Sequence, residues 1–280
     1  MFGKRNKRLE AVNRELLAVQ KQERKLAASA KKAGDSGWKR ALEDRIPEKV
    51  YAGLESAFTK AFGFVFEKGT TVIEKGYSRE QLQADHAIRN YAVQIKGGRK
   101  ELKKLHKGAG RSDLLNLAVT TAEGIGLGAL GVGMPDIVLF LGTLLKGIYE
   151  TALSYGCDYT SEEEKLLILK MIQTSLSREP DHARLDEAVD RLLLGSPGTV
   201  PADDFQRQLK ATASAMAMDM LLLKFIQGLP VVGIVGGAAN PVYYRKVMQY
   251  VQLKYRKRYL LKQKEALEAR EERGTNGTLF

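Results

Sequence analysis

Apolar residues recur every three or four positions along most of the chain, which is the pattern of amphipathic α-helices. Between residues 7 and 33 this apolar face consists of Leu9, Val12, Leu16, Val19 and Leu26. A second apolar face follows Pro47, and no convincing run of the two-residue alternation typical of β-strands occurs. The sequence therefore predicts an all-α, multi-helix globular fold.

Glycine, proline and capping residues predict where the helices begin and end. Gly34 and Gly37 flank the predicted end of the first helix, and Gly97-Gly98 breaks a polar helical stretch over 79–107. Ser161, followed three residues later by Glu164, is typical of a capping box at a helix start. Further helices are predicted over 181–194, from Pro201 onward and over 243–273.

Two stretches, 124–145 and 220–239, are almost free of charge and long enough to reach the range of membrane spans. Each is interrupted by a Gly-Xaa-Pro break, which predicts a helix–turn–helix corner rather than one straight helix. The corner residues are Gly133, Pro135, Gly228 and Pro230. We favour a buried helical core for both stretches, and partial insertion into a membrane stays open as the alternative.

The net charge of +12 is unevenly distributed along the chain. Residues 1–112 carry 26 Lys and Arg against 13 Asp and Glu, whereas residues 113–240 carry 9 against 16. Residues 241–280 are basic again, with 10 against 4. Basic ends around an acidic centre indicate an anionic partner, although solvated helix faces would give the same composition.

Two segments concentrate the basic residues, and we predict that both bind anionic lipid. The predicted binding residues are Arg99, Lys100, Lys103, Lys104, Lys107, Lys254, Arg256, Lys257 and Arg258. Tyr250, Tyr255 and Tyr259 are interleaved with the second group, which suits the headgroup zone of a membrane. The same interleaving would also suit nucleic acid, but no known nucleic-acid-binding signature accompanies it.

No motif in the sequence predicts catalysis, a cofactor or a metal. A G-x-G-x-x-G run at 126–131 lacks the preceding strand that a dinucleotide site requires, and the three histidines show no metal-ligand spacing. Cys157 has no neighbouring histidine in sequence and is expected to serve packing. For an enzyme acting on a lipid-like substrate, the alternative, Glu123, Asp136 and Tyr155 are the first residues to consider.

Several segments together resemble the EcsC family of bacterial proteins. They are the glycine-rich run 122–136 with the apolar helix that leads to 149–158, the segment 46–50, and the segment 230–240 leading into 243–247. The resemblance covers roughly residues 40–260. It implies a mostly helical, membrane-associated protein, since the family is named after a product encoded beside an ABC transporter, and it supplies no catalytic residues.

These observations lead to one expectation for function. We expect a non-enzymatic protein at the cytoplasmic face of the plasma membrane, because no apolar segment for export follows the N-terminus. A membrane transporter is a further expected partner, and a nucleic-acid-binding protein is an alternative. The predicted parts are a basic helix over 1–34, an EcsC-like domain over 35–260 and a charged end over 261–280.

Overall fold

Helices form all the regular structure in the part of the chain that the computed structural model describes. That part comprises residues 2–34, 41–69, 73–109, 134–195, 202–226 and 239–276. No strand occurs within these ranges. The all-α class predicted from the apolar periodicity is therefore confirmed.

The main helices follow the predicted segments closely. In chain order they are α1 Phe2–Gly34, α2 Glu48–Phe64, α3 Arg79–Lys96, α4 Arg99–Ala109, α5 Met134–Ser154, α6 Glu162–Leu176, α7 Asp181–Leu194, α8 Ala202–Ile226 and α9 Ala239–Asn276. A π-helical turn, Val65–Gly69, continues α2. The corner residues Gly133, Gly228 and Pro230 lie outside the described residues, and Pro135 falls in the first turn of α5, a position that proline tolerates.

Local side-chain chemistry fixes several helix ends. The Ser161 hydroxyl accepts a hydrogen bond from the Glu164 backbone N–H at 3.2 Å, which is the serine half of the predicted capping box. The Glu164 carboxylate instead accepts from Tyr255 and Arg258. The Ser78 hydroxyl caps α3 as Ser161 caps α6, through the Gln81 N–H at 3.1 Å. Gly97 ends α3 with a φ of 58°, a left-handed conformation that glycine adopts without a steric cost.

α5 lies at the centre of the packing and contacts α2, α3, α4 and α9. Its segment Ile137–Ser154 is long and apolar enough to cross a membrane, and 83% of that segment is buried inside the protein. A helix that is apolar all round and covered by other helices is typical of a protein core. The burial of α5 therefore supports the core interpretation of this stretch over membrane insertion.

The remaining helices surround α5 in two connected groups. α2 packs on α8, α8 on α6 and α6 on α7, while α1 lies along α9, which in turn contacts α5 and α6. Buried apolar residues from all nine helices belong to one hydrophobic cluster, to which α1 contributes Val12 and Val19. The first helix thus packs into the same core as the rest of the described chain.

Candidate functional site

α4 is a short amphipathic helix whose two faces differ sharply. Leu102, Leu105 and Ala109 are buried against the core. The opposite face exposes four lysines, Lys100, Lys103, Lys104 and Lys107. Within the described part of the chain, none of these lysines forms an ion pair, so four positive charges project into solvent from two turns of helix.

Arg99, the fifth predicted residue of this segment, has an internal partner. Its Nε donates to the Glu15 carboxylate on α1 at 2.5 Å, and half of the Arg99 side chain stays exposed. Burial raises the pKa of Glu15, but Arg99 and Arg256 on either side outweigh burial and hold it below its ordinary value. Arg99 therefore joins α4 to α1 rather than adding a free charge to the lysine face.

An apolar stripe lies on the adjacent helix α3. Ile88, Tyr91 and Ile95 are 68%, 65% and 56% exposed, and they make up three of the five exposed large apolar residues in the described ranges. Their spacing of three and four residues places them on one face of the helix. Such a row of exposed apolar side chains on one helix indicates a contact surface.

The stripe and the lysines lie on the exposed sides of two helices that are neighbours in the fold. Only Gly97 and Gly98 separate the two helices, which pack against each other and both rest on α5. Arg89 on α3 lies against Gly108 on α4, where an added Cβ would be 2.2 Å from the guanidinium. We call the exposed side chains of Ile88, Tyr91, Ile95, Lys100, Lys103, Lys104 and Lys107 the α3–α4 surface.

The predicted binding residues of the second basic segment form ion pairs within the protein. Arg256 pairs with Glu15, Arg258 Nη1 lies 2.6 Å from Glu164, and Lys257 Nζ lies 2.9 Å from Glu23 and 2.6 Å from Asp190. The physical reason is that α9 runs between α1, α6 and α7, whose acidic residues face it. Lys254, Arg256, Lys257 and Arg258 thus have internal partners.

Lys254 illustrates this neutralisation most clearly. Its side chain is fully buried, and Nζ lies 2.9, 2.8 and 2.7 Å from carboxylate oxygens of Glu23, Asp186 and Asp190. Burial lowers the pKa of Lys254, but the three carboxylates outweigh burial and raise it above its ordinary value. Ligand atoms of these three acids lie within 4.8 Å of one another, as in a metal site, but the Lys254 ammonium already supplies the cation.

The interleaved tyrosines of α9 are also internal. Tyr250 donates to Asp186 at 2.5 Å, Tyr255 to Glu164 at 2.7 Å and Tyr259 to Asn90 at 2.8 Å, and all three side chains are buried. These rings therefore cannot lie in a headgroup zone or stack on bases in this fold. Their role is to pack the core while their hydroxyls satisfy buried acceptors.

Of the three residues considered for catalysis, Asp136 and Tyr155 fall in the described part of the chain. Glu123 lies outside the described residues, and Asp136 falls in the first turn of α5, as its position after Pro135 predicted. Cys157 is buried, and burial raises the pKa of its thiol to about 11, which keeps it protonated and unreactive at neutral pH. Tyr155 is buried beside His106, with 3.2 Å between the hydroxyl and Nδ1.

Sequence reasoning missed the apolar half of the α3–α4 surface. The stretch 79–107 was interpreted as polar, because its charged residues hide the spacing of Ile88, Tyr91 and Ile95. The signal that could have found it is a second apolar row on α3, separate from the row that includes the buried Val93. Two apolar faces on one helix indicate that one of them lies outside the core.

By its fold, the protein is all-helical, and its described helices share one core with one amphipathic outer surface. Residues 10–260 match the EcsC protein family, and the chain therefore belongs to that family. The family match begins within α1 and ends within α9, and it confirms the resemblance found in the sequence. No curated protein and no solved structure matches the chain.

Proposed function

We propose that this EcsC-family protein is a peripheral membrane protein that binds anionic lipid through the α3–α4 surface. The observation that supports the proposal is the placement of four unpaired lysines beside an exposed apolar stripe. An amphipathic surface of this kind suits the interface of a bilayer, where apolar side chains enter the acyl boundary and cations meet phosphates. Tyr91 suits the headgroup level, because its ring is apolar and its hydroxyl is polar.

The magnitudes allow useful but reversible binding. A lysine near an anionic leaflet contributes about 1 kcal/mol, so the four lysines of α4 together contribute up to about 4 kcal/mol. This electrostatic contribution to binding weakens with salt, because exposed charges are screened over about 8–10 Å at ordinary ionic strength. Partial burial of Ile88 and Ile95 in the bilayer adds an apolar contribution to the binding free energy, about 25 cal/mol per Å² of buried apolar surface. Salt does not weaken this contribution.

Docking through the α3–α4 surface would also determine where the protein lies in the cell and which partners it meets. Anionic lipid is concentrated on the cytoplasmic leaflet, so docking through lysines would hold the protein at the inner face of the plasma membrane. Lys254, Arg256, Lys257 and Arg258 of α9 play no part in this docking, because they are paired internally. A membrane transporter stays a candidate partner, which a membrane-bound protein would meet by diffusion in two dimensions.

Vesicle flotation tests the proposal directly. We expect the full-length protein to float with phosphatidylcholine vesicles that contain phosphatidylglycerol, and to stay in solution with phosphatidylcholine alone. The variant Lys100→Gln, Lys103→Gln, Lys104→Gln, Lys107→Gln should lose this binding by roughly a hundredfold or more, since it removes up to about 4 kcal/mol. The variant Ile88→Ser, Ile95→Ser should still bind at low salt and lose the binding that survives raised salt.

A matched control removes the same charge elsewhere. Lys31 and Lys32 on α1, and Lys49 and Lys60 on α2, are also exposed lysines. Replacing these four with glutamine should leave binding within about twofold of the wild type, apart from long-range effects that salt screens. Equal loss in both quadruple variants, or equal flotation with neutral and anionic vesicles, would contradict docking through the α3–α4 surface and favour a protein partner.

A further inference from the structure

An open groove lies between α7 and α8. Both helices pack on α6 but hardly contact each other, so a space of about 560 Å³ remains between them, lined by residues of all three helices. The Gln208 amide of α8 donates to the Gln173 side chain of α6 at 2.9 Å, and both residues line the groove. Two of the three helices are thus joined before any partner binds. The described residues that line this groove do not include any of the α3–α4 surface.

Apolar side chains form one part of the groove. Leu185, Ala188 and Leu192 recur at spacings of three and four residues on α7, and they therefore lie along one face of that helix. This row extends over about two turns, or about 10 Å. Leu166 of α6 and Ala211 of α8 add to the apolar lining, and both Leu166 and Leu192 are only half-buried.

Four cations line the same groove, one from α6, two from α7 and one from α8. They are Lys170, Arg184, Arg191 and Arg207. Two of the arginines have a carboxylate partner on their own helix, because Arg184 pairs with Asp181 and Arg207 pairs with Asp204. These two pairs leave the positive charges of the other two cations to be considered.

Lys170 and Arg191 form no ion pair within the described ranges of the chain. The Lys170 side chain is half-buried, and burial together with the positive charges of Arg184 and Arg191 lowers the pKa of its ammonium group. The charged form of Lys170 is therefore disfavoured in the free protein, and an anionic group in the groove would stabilise it. A groove with two uncompensated cations matches an anionic partner.

We propose that this groove binds a short amphipathic helix of a partner protein, with acidic residues beside its apolar face. Such a helix places apolar side chains three and four residues apart, which is also the spacing of the apolar row on α7. Its carboxylates match the arginines, because a planar guanidinium group binds a carboxylate through two parallel hydrogen bonds. Apolar burial and charge pairing therefore select the same occupant.

Other anionic occupants fit the groove less well. Single-stranded nucleic acid binds largely through aromatic rings that stack on its bases, and no aromatic residue is among the described residues that line the groove. A flat bilayer does not reach Lys170, because this half-buried side chain comes from α6, on which both walls of the groove rest. A helix can enter such a space, since helices pack with the side-chain ridges of one in the grooves of another.

Fluorescence anisotropy of a labelled peptide, titrated with the full-length protein, tests the proposal. The probe is a peptide of about fifteen residues with leucines spaced three and four residues apart, glutamates beside them and alanine elsewhere. We expect saturable binding that weakens with added salt. The same peptide with glutamine in place of glutamate, or with serine in place of leucine, should bind about tenfold more weakly or worse.

Two protein variants locate the binding site. Lys170→Gln with Arg191→Gln should weaken binding of the peptide about tenfold or more, because it removes the two cations that have no partner among the described residues. Arg24→Gln with Lys210→Gln is the matched control, since it removes an exposed arginine and an exposed lysine that do not line the groove. This control should bind as the wild type does. The quadruple lysine variant of α4 should also bind the peptide, so the inference does not rest on membrane docking.

Several results would overturn the proposal. They are the absence of saturable binding, equal affinity for the glutamate and glutamine peptides, and equal loss in the groove variant and its control. Self-association of the protein in sedimentation equilibrium, abolished by Lys170→Gln with Arg191→Gln, would instead assign the groove to a second copy of the chain. Loss of flotation with phosphatidylglycerol vesicles, or of binding to oligothymidine, in the same variant would assign it to lipid or to nucleic acid.

Discussion

Lys254 is buried among carboxylates, and its fully covered ammonium depends on them. An uncompensated charge in a protein interior is costly, so the stability of this position comes from the match between one cation and the acids around it. The three carboxylates come from two helices, Glu23 on α1 and both Asp186 and Asp190 on α7. Lys254 of α9 therefore joins three helices through one atom.

Replacing Lys254 with methionine should destabilise the protein by about 3–5 kcal/mol, because it leaves three carboxylates close together without a cation. Urea unfolding followed by circular dichroism measures this change. Lys246→Met is the matched control on the same helix, since Lys246 is 41% exposed and pairs with Asp219 alone among the described residues. The control should cost less than about 1 kcal/mol, and an equal cost for both variants would contradict a buried network.

His106 gives the stability a pH dependence. Its pKa in the folded protein, about 3, lies below the ordinary value of 6.5, so the unfolded chain binds a proton that the folded protein does not. Its contribution to stability is therefore fully present above pH 6.5 and is lost as the pH falls. The charged groups that face it are Arg256, which strengthens the shift, and Glu15, which opposes it.

Between pH 7 and pH 5 the wild type should lose about 2 kcal/mol of unfolding free energy through His106. The variant His106→Leu lacks this titration and should lose correspondingly less over the same interval. Urea unfolding at the two pH values measures both slopes, and the comparison removes the contributions of other groups that the two proteins share. Identical slopes would show that His106 is protonated as readily in the folded protein as in the unfolded chain.

At the scale of elements, the junction between α3 and α4 depends on backbone conformation. Gly97 has a φ of 58°, and a Cβ added there would lie 2.2 Å from the Arg8 side chain of α1. This left-handed residue turns the chain so that α4 folds back beside α3. The relative position of the lysines and the apolar stripe follows from that turn.

Gly97→Ala should destabilise the protein by about 1 kcal/mol or more, because alanine is strained at positive φ and must also displace Arg8. Gly53→Ala is the control inside α2, where an added Cβ meets no atom within 4 Å. The control should stabilise by about 0.4–1 kcal/mol, since alanine favours the helix and restricts the unfolded chain. Thermal unfolding measures whether the two substitutions change the stability in opposite directions. A stabilising Gly97→Ala would contradict the observed turn.

The sequence predicted helix type and ends well, because periodicity and caps are local. Ser161, Gly97 and the segment 181–194 were all placed from residues within a few positions of them. The direction in which a charged helix face points depends on residues that are far apart in the sequence. Lys254 is predicted from the sequence to bind anionic lipid, yet its partners Glu23 and Asp190 lie 231 and 64 positions away, and the packing of α9 on α1 and α7 brings them together.

At the scale of the whole molecule, the two basic segments have different uses. Acidic residues of α1, α6 and α7 neutralise Lys254, Arg256, Lys257 and Arg258 of α9, whereas the lysines of α4 are exposed. The net charge of +12 is therefore partly internal and partly available to a partner. Charge counted along the sequence could not separate the two parts, because α4 and α9 have similar compositions.

This division predicts that stability and membrane binding respond to different residues. Arg258→Gln removes the ion-pair partner of Glu164, whose side chain is only 6% exposed, and should cost about 2–3 kcal/mol of unfolding free energy without changing vesicle binding. Lys103→Gln with Lys104→Gln should weaken flotation about tenfold or more and change stability by less than about 0.5 kcal/mol. Both measurements are made on the same preparations, below the unfolding temperature of the weaker variant.

Each of these variants serves as a control for the other. Arg258 and Lys103 are both cations, so a general response to net charge would move flotation in both variants, whereas the structure assigns only Lys103 to an outward face. Loss of vesicle binding in folded Arg258→Gln would mean that α9 leaves its acidic partners to meet the membrane. The C-terminal helix would then belong to the docking surface, and its ion pairs would hold a closed state that lipid opens.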